Sequence, residues 1–325
     1  MNKKIKASDI KIHRLVWILL LPFCILLITG CSSYSNIKKS TKRIIRDYKA
    51  PDGDLKKRVG IAFFENKTTF VGKGLEENVI RDLMETMKTS CQDILMLGPD
   101  DPDYPDYLVK LPRQASGLID NFNLAKTGRQ LGLNAVVSGA IIEITNHKEP
   151  RGILWFKDIH NYVQVQVMTE VYDTQTGAKF LDISYTHKIE DEDILYEDDS
   201  YYDSTDQTGE ISTHIVNEAL KSIAADMGEQ ICEALVLQPW KGYITETFAE
   251  KVVISSGENV GIVPGDIFDV YDCNGVVKGA EKHRFFIPGL KTGEIKITAV
   301  YPDHAEGVLS SGQNIQAGCS ISPKD

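Results

Sequence analysis

Hydrophobic and polar residues alternate with three different textures along this chain. Residues 15–29 form a single run, apolar except for Pro22 and Thr29. Residues 58–238 switch between strand and helix periodicities, and residues 240–325 break into short apolar stretches between glycines. In the middle portion, the run at 59–64 reads as a buried strand. Leu75, Val79, Ile80, Leu83, Met84 and Met87 then recur at helical spacing, which predicts an amphipathic helix over 75–89. A second strand is expected at 94–97, a Pro/Asp-rich loop at 98–117, a short helix at 124–131 and a strand at 134–142. The clearest period-two signal comes next: Val163, Val165, Val167, Thr169 and Val171 alternate with Gln164, Gln166, Met168 and Glu170. That pattern describes a sheet with one buried and one wet face. The turn at 173–177 folds it back into 179–187 as a hairpin. Ile215, Val216, Ala219, Leu220, Ile223, Met227, Ile231 and Leu235 define a long helix ending before Pro239. The order β-α-β-α-β-β-β-α indicates α+β, a mixed sheet with helices, rather than a doubly wound sheet.

The last portion reads differently. Residues 240–325 hold 11 glycines in 86 positions, about twice the usual 7%. Short strands are expected at 250–254, 267–272, 294–300 and 304–309, and Ile295, Ile297 and Ala299 alternate with Lys296 and Thr298. Short strands separated by glycine turns fit a small all-β barrel. The expected organisation is a leader at 1–30, a tether at 31–57, an α+β domain at 58–238 and the barrel at 240–325.

The leader has a basic start, with Lys3, Lys4, Lys6, Lys11 and Arg14 against Asp9. Its apolar run is shorter than the roughly 20 residues that span a bilayer. Together these features describe a secretory signal peptide. Ile28-Thr29-Gly30-Cys31 then resembles the lipobox of bacterial lipoproteins. The resemblance implies cleavage between Gly30 and Cys31, a diacylglyceryl group on the Cys31 thiol and usually a third acyl chain on the new amino terminus. Each buried CH₂ contributes about 0.8 kcal/mol, so two or three chains anchor where one would not. By the same resemblance, Ser32 after the cysteine directs the protein to the outer membrane, with a periplasmic body. Cys24 falls in the discarded peptide.

Charge refines this picture. The net charge of −10 becomes −14 after residue 30, because the leader removes five basic residues and one acid. Residues 32–58 carry +6, so the remaining 267 residues carry −20. A basic tether beside a lipid anchor suits anionic headgroups or cell-wall polymer, or is simply a solvated linker. The acidic body makes nucleic acid an unexpected partner. With 42% hydrophobic and 25% charged residues, the composition excludes a disordered or polytopic membrane protein.

Two further resemblances come from short motifs. Residues 59–64 followed by Glu65-Asn66, and the stretch from Ala125 through Leu131-Gly132-Leu133-Asn134-Ala135-Val136-Val137-Ser138-Gly139, resemble the periplasmic fold shared by the curli-secretion lipoprotein CsgG and the amino-terminal domain of TolB. Gly257 to Gly261 and Pro264-Gly265-Asp266-Ile267-Phe268-Asp269-Val270-Tyr271 resemble the carboxy-terminal domain of the flagellar assembly protein T family. That family places its barrel after a TolB-like domain. The pair implies an α+β domain with an appended barrel that binds other envelope proteins.

Chemistry-bearing residues are few. Cys91 and Cys232 belong to the first domain and Cys273 and Cys319 to the second. The periplasm permits disulfides. Four cysteines allow three pairings, and position favours 91–232 and 273–319. Residues 190–210 hold ten acids interleaved with Tyr196, Tyr201 and Tyr202, either a solvated loop, a divalent-cation site or a docking surface. No EF-hand spacing is present there. No H-E-x-x-H or paired metal spacing accompanies the seven histidines. Ser35-Asn36-Ile37-Lys38 and Lys291-Thr292-Gly293 match fragments of penicillin-recognising motifs without the S-D-N between them, and Gly72-Lys73-Gly74 lacks the rest of a P-loop. The sequence therefore predicts no catalytic residue, no cofactor and no metal. It points to a non-enzymatic outer-membrane lipoprotein with envelope protein partners, self-association being left open. Three rivals stand beside that reading. A curli-type channel needs alternating strands of about ten residues with an apolar lipid-facing side, and only 150–172 offers one. An activator of a peptidoglycan synthase would use the tether, whose 27 residues extend at most roughly 90–95 Å. A hydrolase would need a site that no motif reveals.

Overall fold

A mixed sheet forms the centre of the α+β part. Strand β1 (Lys57–Ile61) lies between β3 (Ile94–Leu97) and β4 (Ala135–Ile153), parallel to both, and β2 (Glu65–Asn66) adds a short parallel pairing to β4. The antiparallel strands β5 (Phe156–Asp173) and β6 (Lys179–Glu190) complete the order β3-β1-β4-β5-β6. The computed structural model describes residues 55–153, 156–190, 211–313 and 315–324, with the backbone alone at 152, 153 and 156–159. The leader, Gly30, Cys31, the tether to residue 54 and the acidic stretch 191–210 lie outside the described residues.

The period-two signal places the core. Val163, Val165, Val167, Thr169 and Val171 are all fully buried on the face covered by helices α1 (Leu75–Ser90) and α4 (Thr213–Val236). Helix α1 contributes Leu75, Val79, Ile80, Leu83 and Met87 to this layer, each worth about 1.5–3 kcal/mol on burial. Part of the opposite face is covered by α2 (Asp106–Val109) and α3 (Asn121–Gln130), where Leu108, Leu124, Leu133, Val136 and Tyr172 form a smaller core. Among the described residues, the rest of that face stays open.

One close approach in the main core is strict. A Cβ on Gly139 would lie 2.2 Å from the Phe64 ring, and Phe64 is fully buried. Gly139→Ala is expected to cost about 2–3 kcal/mol, the usual penalty for overpacking. Urea unfolding of the variant would measure it, and a loss below about 0.5 kcal/mol would mean that the ring yields freely.

Two elements differ from the sequence reading. The loop at 98–117 contains the four-residue helix α2, too short to show a period. The strand expected at 134–142 continues to Ile153, so 150–172 is split between β4 and β5 rather than forming one strand. Among the described residues, β4 beyond Ile141 is paired only with β5, and β5 before Tyr162 only with β4. The two form an arm. Its register couples Lys148 with Asn161, Glu149 with His160, Pro150 with Ile159 and Arg151 with Asp158. Pro150 is tolerated because β4 has a single partner there.

The carboxy-terminal part is built from β7 (Gly242–Phe248), β8 (Lys251–Ile254), β9 (Ile267–Tyr271), β12 (Lys291–Val300), β13 (Ala305–Gly312) and β14 (Ser320–Pro323). These close into an antiparallel barrel in the order β12-β13-β8-β7-β14-β9. The small hairpin β10 (Val276–Lys278) and β11 (Arg284–Phe286) lies outside the barrel. Trp240, Phe268, Val270, Ile295 and Ile297 fill the interior. Fold class is therefore α+β with a small β-barrel, as the sequence predicts.

The two parts share a dense seam. Leu55 and Leu95 pack against the barrel interior. Lys56 donates its backbone N–H to Val260 O (2.8 Å) and accepts from Trp240 Nε1 (3.1 Å). Asn134 Nδ2 donates to Lys241 O at 2.7 Å. Gly132, at φ +67, leaves α3 so close to the barrel that a Cβ would sit 2.3 Å from Ser255 O, a site suited to glycine on both counts. At the centre is Arg129, 6% exposed. It donates to Thr174 O (3.1 Å), Gly318 O (3.2 Å) and Gln175 O, with its guanidinium 3.8 Å from the Phe286 ring centroid and 5.7 Å from that of Tyr243. Burial lowers the Arg129 pKa and raises that of the Tyr243 phenol. Thr174 Oγ1 lies 3.0 Å from Tyr243 Oη.

Candidate functional site

The cysteines of the body fall into two close pairs. Cys91 caps the end of α1 and meets Cys232 of α4, with Cα atoms 5.7 Å apart and the sulfurs joined. Cys273 lies shortly after β9 and meets Cys319 just before β14, at 4.7 Å between Cα atoms, again joined. Both spacings lie in the range a disulfide spans. Gly30 and Cys31 cannot be placed, because they precede the described residues.

A cleft of about 540 Å³ lies over the open face of the sheet. Its floor is made by Ser138, Ala140, Met168, Glu170 and Tyr172 from β4 and β5. One wall is the loop around Leu118 and Ile119, folded by an isolated bridge between Arg113 and Ile119 and by a bond from Arg113 Nη1 to Gly117 O at 2.7 Å. The other wall is the β10–β11 hairpin, which presents Glu281, His283 and Phe285.

That hairpin is fixed to the α+β part rather than hanging free. Phe286 stacks on Phe122 at 4.4 Å between centroids, and the Arg284 guanidinium lies 4.0 Å from the Phe122 centroid. Asn121 Nδ2 donates to Arg284 O at 2.7 Å, and Phe286 N–H to Thr176 O at 2.9 Å. His283 Nδ1 sits 3.0 Å from Asn121 Oδ1 and 3.3 Å from Gln114 Nε2. The turn of the hairpin holds Glu281 (φ 52) and Lys282 (φ 65) in the left-handed region. Two consecutive non-glycine residues there store strain of the kind that collects at ligand clamps.

Charge inside the cleft is unevenly balanced. Glu170, 16% exposed at its side chain, is satisfied twice, by Lys179 at 2.7 Å and by the Tyr172 hydroxyl at 2.9 Å. Burial, reinforced by Glu170, pushes the Tyr172 phenol pKa up. At the mouth, Glu65 is shared between Arg113 and Lys67, the latter at 3.7 Å. Two cations there divide one carboxylate, leaving a positive excess.

Sequence reasoning singles out no residue of this cleft. It joins a two-residue strand, a loop and a hairpin of another part of the chain, whose side chains carry no shared period. Among the described residues, no group of three or more His, Cys, Asp or Glu is arranged to hold a metal, and no helix is long and apolar enough to cross a membrane.

No protein-family model matches the chain, and no curated protein is significantly similar to it. Solved structures offer distant likenesses. A lipoprotein of Neisseria meningitidis is 8% identical over 53% of this chain and 97% of its own, with a TM-score of 0.29. A minor lipoprotein of Acinetobacter baumannii is 11% identical over 55% of this chain and 92% of its own, with a TM-score of 0.22. The dodecameric PelC of Paraburkholderia phytofirmans is 14% identical over 56% of this chain and 92% of its own, at 0.26. At these values the likenesses to bacterial lipoproteins carry no argument about function, which has to come from the chain's own residues.

Proposed function

We propose that this protein is a non-enzymatic lipoprotein of the bacterial outer membrane, anchored through Cys31, whose body docks other envelope proteins from the periplasmic side. The observation that carries the reading is Ile28-Thr29-Gly30-Cys31 placed directly after the short apolar run of a basic leader. Acylation at that cysteine turns an exported body into a tethered one. The seam supports the docking role. Barrel and α+β part are pinned by buried side chains, so they would present one continuous surface. The CsgG/TolB-like and flagellar-assembly-like motifs agree with such a platform.

The arm bears on the rival channel reading. A lipid-facing strand needs one apolar side. Lys148 and Asn161 occupy one side of the arm, and Glu149, His160 and Arg151 the other, so neither side suits hydrocarbon. The arm disfavours a membrane pore and leaves the synthase activator as the alternative partner class.

Mass spectrometry of the membrane-extracted protein tests the anchor. The expected amino-terminal peptide begins at Cys31 and carries two or three acyl chains, and Cys31→Ser abolishes both acylation and cleavage. A lipid-free terminus would overturn the proposal. Crosslinking in whole cells followed by purification tests docking: an envelope protein recovered with the body supports it, and a body recovered only with itself opposes it.

A further inference from the structure

We infer that the cleft beneath the β10–β11 hairpin is a binding site for a small apolar carboxylate, an anionic head on a hydrocarbon body. This is independent of the lipid anchor and of protein docking. Three features of the cleft combine. Its volume of about 540 Å³ lies within the usual range for ligand sites, which are mostly apolar with a few convergent polar groups. Ala140, Met168, Leu118 and Phe285 supply apolar lining from the floor and both walls. The charge excess lies at the mouth, where Arg113 and Lys67 share Glu65.

Charge decides the sign of the ligand. The inner carboxylate, Glu170, already receives Lys179 and the Tyr172 hydroxyl, so an amine entering the cleft would find no vacant acceptor there. An anion at the mouth instead completes the pairing of two cations that hold one carboxylate between them. Charge-assisted hydrogen bonds of this kind are roughly twice as strong as neutral ones. Arg113 also shapes the wall through its bond to Gly117 O, which leaves Lys67 as the side chain able to turn toward a ligand. The wall opposite is preorganised, since Phe286, Arg284 and His283 bind it to α3 and the loop before it. Little ordering is then required on binding.

The test uses the mature chain and three probes of equal length, octanoate, octanol and octylamine, in isothermal titration. Octanoate is expected to bind at least tenfold tighter than either other probe. Lys67→Glu is expected to remove that preference by inverting the charge at an exposed position. Ser138→Phe is expected to abolish binding of every probe by filling the floor. Circular dichroism and an unchanged Tm of both variants would exclude unfolding as the cause. Equal affinity for octanoate and octanol, retained preference in Lys67→Glu, or no binding of octanoate would each overturn the inference. Tighter binding of octylamine would do so as well.

Discussion

Replacing Arg129 with alanine is expected to destabilise the body by about 3–5 kcal/mol and to lower its Tm by about 10 °C. The side chain is 6% exposed and has no carboxylate partner among its described hydrogen bonds. Its charge is met by three carbonyl oxygens and by the rings of Phe286 and Tyr243. Removing it leaves Thr174 O, Gln175 O and Gly318 O without this donor and opens a cavity between two parts of the molecule. Arg129→Lys restores the charge but not the planar fork that reaches several acceptors at once, so it is expected to recover less than half of the loss. Calorimetry adds a second readout. In the parent, the pinned seam should make the barrel and the α+β part melt together, whereas Arg129→Ala should broaden or split the transition. A loss below about 1 kcal/mol with an unchanged melting profile would show that the seam does not depend on this residue.

Loss of the bond between Cys91 and Cys232 is expected to cost nearly as much. The two residues are 141 positions apart, and a chain-entropy account gives about 5 kcal/mol for a loop of that length against about 4 kcal/mol for the 46-residue separation of Cys273 and Cys319. Values for native bonds run from about 2 to 5 kcal/mol, so the prediction is chiefly one of order. The double variant Cys91→Ala/Cys232→Ala should be less stable than Cys273→Ala/Cys319→Ala in denaturant unfolding. Alkylation before reduction should modify none of the four thiols, and alkylation after reduction all four. Four modified thiols without reductant would remove the basis of the prediction. The reverse order of stabilities would place the greater structural constraint in the barrel.

The fold is legible in the chain where burial enforces a period. Val163 through Val171 sit on a strand with one face against α1 and α4, so their alternation is visible, as is the stripe of α1. The arm is not. Residues 143–151 are mostly polar and include Pro150, because a two-stranded extension held by backbone pairing has no core to face. Trp240 sits at the expected domain boundary, yet it is 1% exposed inside the barrel; one aromatic residue beside a proline gives no periodic signal. The cleft escapes for a related reason. Glu65, Arg113, Lys179 and His283 meet only because the β10–β11 hairpin crosses back onto α3, and such long-range meetings leave no local pattern. Cys31 is the opposite case, legible from four adjacent residues.

The way the chain enters the body has a mechanical consequence. Leu55 is wedged against the barrel, Lys56 is held by Val260 and Trp240, and the next residues run as β1 between two parallel neighbours. A load drawn through the amino-terminal segment therefore meets backbone bonds lying across its direction, which must rupture together in shear rather than unzip one after another. Tension on the leash would be shared by both lobes at once, and the body would detach from its mooring only by breaking at its strongest point.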